Sequence, residues 1–254
     1  GNGYSYNETF FISPTVGFVA GQCNGSIRVI RRTVNGGATW VDQMRTTSTW
    51  AFNDIWLTSS TAGVAVGGSG NIYRTVNGIN WSSVSSGVLM NLNAVHFPTS
   101  SFGVAVGASG TITRTSDGGA TWSPVAGPTL NTLYDVFFTS AITGFAVGGS
   151  GTILKSTNGG SSWSAVTSGV AADLRSVWFT DANTGYIVGM SGTILKSTDG
   201  GTSWYPFATG ADNTTDYYGV QFPTPYTGYV AGSGGTLGRI LKYQTVPEPT
   251  GQPS

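Results

Sequence analysis

Five tryptophans, Trp40, Trp81, Trp122, Trp163 and Trp204, stand 41 residues apart. A fixed period of about 20–50 residues is the signature of solenoids, propellers and arrays, in which one supersecondary unit recurs because it cannot bury its apolar face alone. The strings that end on these tryptophans agree closely: GTITRTSDGGATW at 110–122, GTILKSTNGGSSW at 151–163 and GTILKSTDGGTSW at 192–204. A second marker is independent of the first. Gly17, Gly63, Gly103, Gly144, Gly185 and Gly228 each open a Gly-aromatic/Val-x-x-Gly run, which makes six repeat starts against five tryptophan-bearing ends.

Each repeat reads as four short strands. In the fifth these are 174–180, 185–189, 193–198 and 202–208, rich in β-branched and aromatic residues and parted by glycine-rich turns. No window sustains a helical apolar period, so almost no helix is expected. The first strand is apolar at successive positions. One position holds Ile55, Val95, Val136, Val177 and Val220, and the next holds Phe10, Trp56, His96, Phe137, Trp178 and Gln221. Neighbouring strand residues point to opposite faces, so this strand must be covered on both. Radially stacked four-stranded sheets provide that cover. The expected fold is all-β, a single β-propeller of four-stranded antiparallel blades over residues 1–244. Its repeats start near 4, 50, 91, 132, 173 and 215. That gives six blades, or seven if further residues complete the ring. The sixth repeat ends at GRILKYQ with neither the tryptophan-bearing turn nor a fourth strand, and the Pro-rich 245–254 reads as an extended tail or linker.

Composition narrows the classes. Only 9% of the 254 residues are charged and the formal net charge is zero, which gives no pull toward nucleic acid or an anionic membrane. The surface is Ser-, Thr-, Asn- and Gly-rich, as in exported proteins, so a periplasmic, extracellular or cell-surface location is expected. No apolar run is long enough to span a membrane. Cys23 is the single cysteine and is expected to be partly buried; His96 is the single histidine and is expected in the core. Neither a Ser-His-Asp triad nor a His-based zinc site can be built from them, so no metal or cofactor is expected.

The recurring turn S/T-x-D/N-G-G-x-S/T-W carries Asn35, Asn77, Asp117, Asn158 and Asp199. Asp or Asn bonds its own local backbone and the next Gly supplies positive φ. The tryptophan then plugs the blade interface and brings one N–H that needs a partner. Three of the five are Asn, so no carboxylate is required and the turn is structural. It resembles the Asp-box, or BNR-type, repeat. The longer pattern over 136–163 and 177–204 resembles the repeats of the photosystem II stability/assembly-factor-like propellers, and the resemblance extends over roughly residues 8 to 243. It implies a non-catalytic assembly factor or accessory subunit that docks another protein or protein complex, and usually seven blades. Photosystem specificity does not follow. The box also occurs in sialidases, sortilin-type receptors and other glycosidases, generally away from their active sites, and fold does not give function.

Three places carry candidate function. Arg32, Arg74, Arg114, Lys155, Lys196 and Lys242 share one repeat position and would form a basic ring on the Asp-box side, either a solvated blade edge or a docking surface for an acidic partner. At the channel mouth stand Asn7, Glu8, Asn53, Asp54, Tyr134, Asp135, Arg175 and Tyr218, of which Asp54, Tyr134, Asp135, Arg175 and Tyr218 make a candidate site for a polar ligand such as a sugar. The stretches Gly21 to Ile30 and Gly232 to Ile240 are longer than in the middle repeats and read as long loops beside the channel opening. A carbohydrate-binding, adhesive or self-assembling surface module is therefore an alternative to protein docking. A glycoside hydrolase is a third reading. Hydrolysis usually needs two placed carboxylates, and nothing in the sequence marks Asp54 and Asp135 out as that pair.

Overall fold

The computed structural model describes residues 3–207, 214–234 and 237–244; the tail at 245–254 lies outside them. The chain forms six antiparallel sheets, each with its strands in sequence order. Blade 1 comprises Tyr4–Phe11, Gly17–Cys23, Ile27–Thr33 and Val41–Thr47; blade 2, Phe52–Leu57, Gly63–Gly67, Ile72–Thr75 and Ser82–Val84; blade 3, Leu92–His96, Gly103–Gly107, Ile112–Thr115 and Ser123–Val125. Blade 4 comprises Leu133–Phe138, Gly144–Gly148, Ile153–Ser156 and Ser164–Val166; blade 5, Leu174–Phe179, Gly185–Gly189, Ile194–Ser197 and Tyr205–Pro206; blade 6 has three strands, Asp216–Thr224, Thr227–Gly234 and Leu237–Gln244. Among the described residues the only helical turns are single 3-10 turns at Gly68–Gly70 and Ala108–Gly110.

Apolar interlocking of neighbouring blades makes the core. One face of each blade presents three apolar residues from its second and third strands, such as Val64, Val66 and Ile72. These pack on the inner strand of the next blade, here Leu92, Val95 and Phe97, together with that blade's Trp122. The same construction recurs from Phe145, Val147 and Ile153 onto Leu174, Val177, Phe179 and Trp204. Glycines admit the close approaches. At Gly110, with φ +68°, a Cβ would lie 2.0 Å from the Thr129 carbonyl oxygen in the link to the next blade.

The construction stops at one seam. In blade 6 the equivalent apolar residues are Tyr229, Ala231 and Ile240, aligned by the strand register. Tyr229 is 40% and Ile240 75% exposed. On the opposite side Tyr6 and Phe11 of blade 1 are exposed too, where their counterparts Phe52 and Leu57 in blade 2 are buried. The inner strands of blades 1 and 6 do not pack side by side as those of successive blades do. Blade 1 meets this seam with polar chemistry. Arg31 lies 4.8 Å over the Tyr4 ring, donates to the Tyr6 hydroxyl at 2.9 Å and pairs with Asp42 at 2.8 Å.

The long loops expected in the first and last repeats are absent. The two strands simply run further. In blade 1 the pairing continues through Gln22↔Arg28 to Cys23↔Ile27 across an Asn24–Gly25 turn with both residues at positive φ. In blade 6 it continues to Gly234↔Leu237. Extra residues added in register extend the ladder because each pair satisfies its own backbone groups. The Asn-Gly dipeptide between alternating residues was the signal for this reading.

Candidate functional site

The inner strand of every blade carries a β-bulge at the same place. The register shifts between Tyr6 and Glu8, Phe52 and Asp54, Leu92 and Ala94, Leu133 and Asp135, Leu174 and Ser176, and Tyr217 and Gly219. The skipped residues are Asn7, Asn53, Asn93, Tyr134, Arg175 and Tyr218. A bulge releases one residue from the ladder and re-aims its side chain, which is why bulges gather at functional rims. The six divide into two arcs. In blades 1 to 3 the asparagines are structural. Asn7 Nδ2 donates to the Phe52 carbonyl at 2.6 Å, Asn53 to Leu92 at 2.8 Å and Asn93 to Leu133 at 2.8 Å, so each ties its blade to the next.

In blades 4 to 6 the same position holds Tyr134, Arg175 and Tyr218. The Arg175 guanidinium lies 3.9 Å from the centroid of the Tyr134 ring. Asp173 organises both: its Oδ2 accepts from Tyr134 Oη at 3.2 Å and from Arg175 at 3.0 Å, while its Oδ1 accepts from the Ser150 backbone N–H at 3.0 Å. Burial, opposed by the Arg175 charge and reinforced by the charge and hydrogen bond of Asp173, raises the Tyr134 pKa. Tyr218 is 52% exposed. The sequence reading named these three but missed Asp173, although Asn91 and Asp216 stand at the same repeat position and accept from the Ser69 and Ser191 N–H groups in the same way.

The carboxylates beside the bulges are held by main chain. Asp54 accepts from its neighbour Ile55 N–H at 2.6 Å and, across the blade boundary, from Val95 N–H at 2.7 Å. Asp135 repeats this with Val136 at 2.8 Å and Val177 at 2.9 Å, and adds the Ser176 hydroxyl at 3.0 Å. Burial, opposed by these hydrogen bonds and reinforced by the Glu8 charge, pushes the Asp54 pKa up to about 8 and that of Asp135 to about 6. Glu8 is exposed by area but enclosed by protein around it, and that enclosure raises its pKa also.

Two positions along the same strands, aromatic rings meet blade to blade. Phe10, Trp56, His96, Phe137 and Trp178 form a chain with centroid separations of 4.8, 4.2, 5.0 and 5.2 Å. His96 is buried within it, and loss of water pushes its pKa down to about 3, so it is neutral at working pH. Cys23 is buried, with Arg45 3.8 Å from its Sγ.

The basic positions have a role that the sequence did not disclose. Arg74 Nε donates to the Gly118 carbonyl at 2.7 Å, Arg114 Nε to Gly159 at 2.7 Å and Lys155 Nζ to Gly200 at 2.7 Å. Each acceptor is an Asp-box glycine of the next blade. The cations also lie on aromatic rings, Arg114 on Phe102 at 4.9 Å and Lys155 on Phe145 at 5.4 Å. Arg32 lies 5.7 Å over Phe18 and its Nε has no acceptor; the box it faces, in blade 2, is one residue short. Lys196 lies over Tyr186 and Phe207, and Lys242 is exposed on blade 6.

Every box turn is built alike. Asp117 Oδ1 accepts from the Thr115 hydroxyl at 2.8 Å and the Thr121 N–H at 2.9 Å, and its Oδ2 from the Thr121 hydroxyl at 2.6 Å. Asn35, Asn158 and Asp199 make the same bridge, and Asn77 a shortened one to Ile79 and Asn80. The box glycines, two in every box but that of blade 2, which has Gly78 alone, take positive φ. Trp122 and Trp163 donate their indole N–H to Gly119 and Gly160 at 3.2 Å, whereas those of Trp81 and Trp204 are buried without a partner.

Comparison with known proteins agrees with this architecture. A family model described as photosynthesis system II assembly factor YCF48 matches residues 166–244, so the chain resembles that family over its last blades. A search of curated proteins finds no match. Among solved structures, YCF48 bound to D1 peptide is 17% identical with a TM-score of 0.52, covering 98% of this chain and 95% of that one. An ancestral GH74 enzyme is 16% identical with a TM-score of 0.75, covering 93% of this chain and 36% of that one. The WD40 repeats of RRP9 are 10% identical with a TM-score of 0.72, covering 94% and 77%. An assembly factor, an enzyme and a WD40 protein share the fold, so the likeness establishes a β-propeller and leaves function to the site.

Proposed function

We propose that this chain is a non-catalytic docking propeller, an assembly factor or accessory subunit that holds a segment of another protein at the mouth formed by blades 4 to 6. The observation that carries this reading is the arc Tyr134–Arg175–Tyr218 on successive bulges, with Tyr134 and Arg175 held together by Asp173. Tyrosine and arginine dominate the energetics of protein interfaces, because they bury large area while keeping directed polar groups. The YCF48 structure with its bound D1 peptide supports a polypeptide ligand. Low charge content supports an exported location, periplasmic, extracellular or at the cell surface.

A hydrolase is the second reading, favoured by the raised pKa values of Asp54 and Asp135 and by the GH74 likeness. Against it, both carboxylates already accept main-chain N–H groups from two blades, and this chain spans about a third of the GH74 chain. The test is co-purification from the native source at low and high salt, with mass spectrometry of what accompanies the protein. A stoichiometric protein partner supports docking. Turnover on a broad glycan panel, lost in Asp54→Asn or Asp135→Asn, overturns it, and recovery of polysaccharide points to a carbohydrate-binding module.

A further inference from the structure

An asparagine followed by glycine is open to attack on its own side chain by the next backbone nitrogen, because glycine has no Cβ to obstruct the approach. The sequence holds five such dipeptides, beginning at Asn2, Asn24, Asn35, Asn77 and Asn158, of which Asn2 lies outside the described residues. The other four share one local chemistry and differ in how the fold holds them.

The three in Asp-boxes are clamped at both reacting groups. Their glycine nitrogens are already engaged. Gly36 N–H donates to the Thr15 carbonyl at 2.9 Å, Gly78 N–H to the Thr75 hydroxyl at 3.0 Å and Gly159 N–H to the Ile142 carbonyl at 2.9 Å. Their side-chain amides are fixed too. Asn35 Oδ1 accepts from Thr39 N–H at 2.9 Å, Asn77 Oδ1 from Asn80 N–H at 2.8 Å and Asn158 Oδ1 from Ser162 N–H at 3.0 Å. Asn24 has neither restraint. With Gly25 and Ser26 it forms the exposed turn between the second and third strands of blade 1. The bonds of the pair go through other atoms: Asn24 N–H donates to the Gly3 carbonyl at 3.0 Å, and the Gly25 carbonyl accepts from Arg28 at 3.2 Å. Among the described residues the Asn24 side chain and the Gly25 N–H make no hydrogen bond.

We infer that Asn24 is a self-modification site: in the folded chain the Gly25 backbone nitrogen closes on Asn24 Cγ and converts this asparagine, and not those of the boxes, to aspartate and isoaspartate. The N–Cγ bond forms and the Cγ–Nδ2 bond breaks. The proton lost by the Gly25 nitrogen leaves with Nδ2 as ammonia, and a five-membered succinimide remains. Water then opens the ring at either carbonyl. Overall one amide and one water become one carboxylate and one ammonium ion, and no other reactant is needed. The turn lies at the bulge end of blade 1, as the pairs Tyr6↔Gly21 and Tyr4↔Cys23 show, so the new negative charge appears on the mouth side. It stands one residue from the carbonyl that holds Arg28, a cation 4% exposed whose Nε is buried without a partner. The site is apart from the arc of blades 4 to 6 and does not depend on the docking reading.

The test incubates the full chain, shown folded by circular dichroism, at mildly alkaline pH beside the same chain unfolded in guanidinium. Peptide mapping by mass spectrometry follows each asparagine, with fragmentation to separate Asn24 from Asn2. In the folded chain Asn24 is expected to convert at least tenfold faster than Asn35, Asn77 or Asn158. In denaturant, where the clamps are gone, the four are expected to convert at similar rates. Gly25→Ala is expected to slow Asn24 several-fold. Conversion of folded Asn24 no faster than that of the box asparagines overturns the inference. A tenfold spread that persists in denaturant also overturns it, since the flanking sequence rather than the fold then sets the rates.

Discussion

Arg74 reaches out of blade 2 and donates its Nε–H to the carbonyl oxygen of Gly118, 2.7 Å away in the Asp-box of blade 3. Arg114 and Lys155 repeat the contact one and two blades on. The repeat therefore encodes a lock between blades. Strand, box and cation form one unit, and the cations of blades 2, 3 and 4 each complete the turn of the next blade.

Removing that lock weakens the fold. A hydrogen bond from a charged donor contributes about 1.5–3 kcal/mol. Arg114→Ala is expected to cost about 2 kcal/mol, which lowers the Tm of a domain this size by roughly 4–8 °C. Lys196→Ala, which among the described residues removes ring contacts but no carbonyl bond, is expected to cost less than half as much. Equal losses in thermal melts would show that the carbonyl bond contributes nothing.

The buried carboxylates predict the pH dependence. Asp54 has a folded pKa of about 8 against an ordinary value of 3.8, so between these values the folded state holds a proton that the unfolded chain has released. Stability then falls as pH rises from about 4 to about 8. Asp117 acts in the opposite sense. The Thr121 hydroxyl and N–H hold its pKa down to about 2, so its contribution is present above pH 4 and is lost as pH falls toward 2. Melts at pH 5 and pH 8 are expected to show the higher Tm at pH 5. Asp54→Asn is expected to flatten that difference, leaving the smaller part owed to Asp135 and Glu8.

Two glycines at similar dihedrals separate strain from collision. Gly25, with φ +76°, has no atom within 4 Å of a would-be Cβ, whereas the Cβ of Gly110→Ala would meet the Thr129 carbonyl oxygen at 2.0 Å. Gly25→Ala is expected to cost only the left-handed penalty of about 1–2 kcal/mol. Gly110→Ala is expected to cost at least twice that, or to prevent folding. Chemical denaturation of the pair measures the difference.

The open seam makes its own prediction. Trp122 is buried between two blades. Trp40 is half-buried, with Phe11 as its ring partner at 6.0 Å. Trp122→Ala is expected to cost about 3–5 kcal/mol. Trp40→Ala is expected to cost clearly less, because blade 6 does not cover blade 1. Equal costs would mean that the ring is sealed in solution.

Much of this was legible in the sequence, for reasons that particular residues make plain. The spacing of Trp40, Trp81, Trp122, Trp163 and Trp204 gave the repeat length and the place of the box, and the six glycine-led starts from Gly17 to Gly228 gave six blades, with a seventh left open. The bulge was not legible, since Asn, Tyr and Arg share that position and only the ladder register reveals it. The acceptors of Arg74, Arg114 and Lys155 were hidden for a different reason. They are backbone carbonyls some 45 residues away, and backbone carries no residue-type signal. The seam left a trace in the sixth repeat, which ends without its Asp-box.

The docking reading is tested most directly by quantifying the native partner captured by wild-type protein and by the folded Tyr134→Ala/Arg175→Ala variant. The account predicts a protein partner recovered at fixed stoichiometry with wild type and reduced at least tenfold with the variant. Undiminished capture by the variant, or capture of no protein at all, would contradict it.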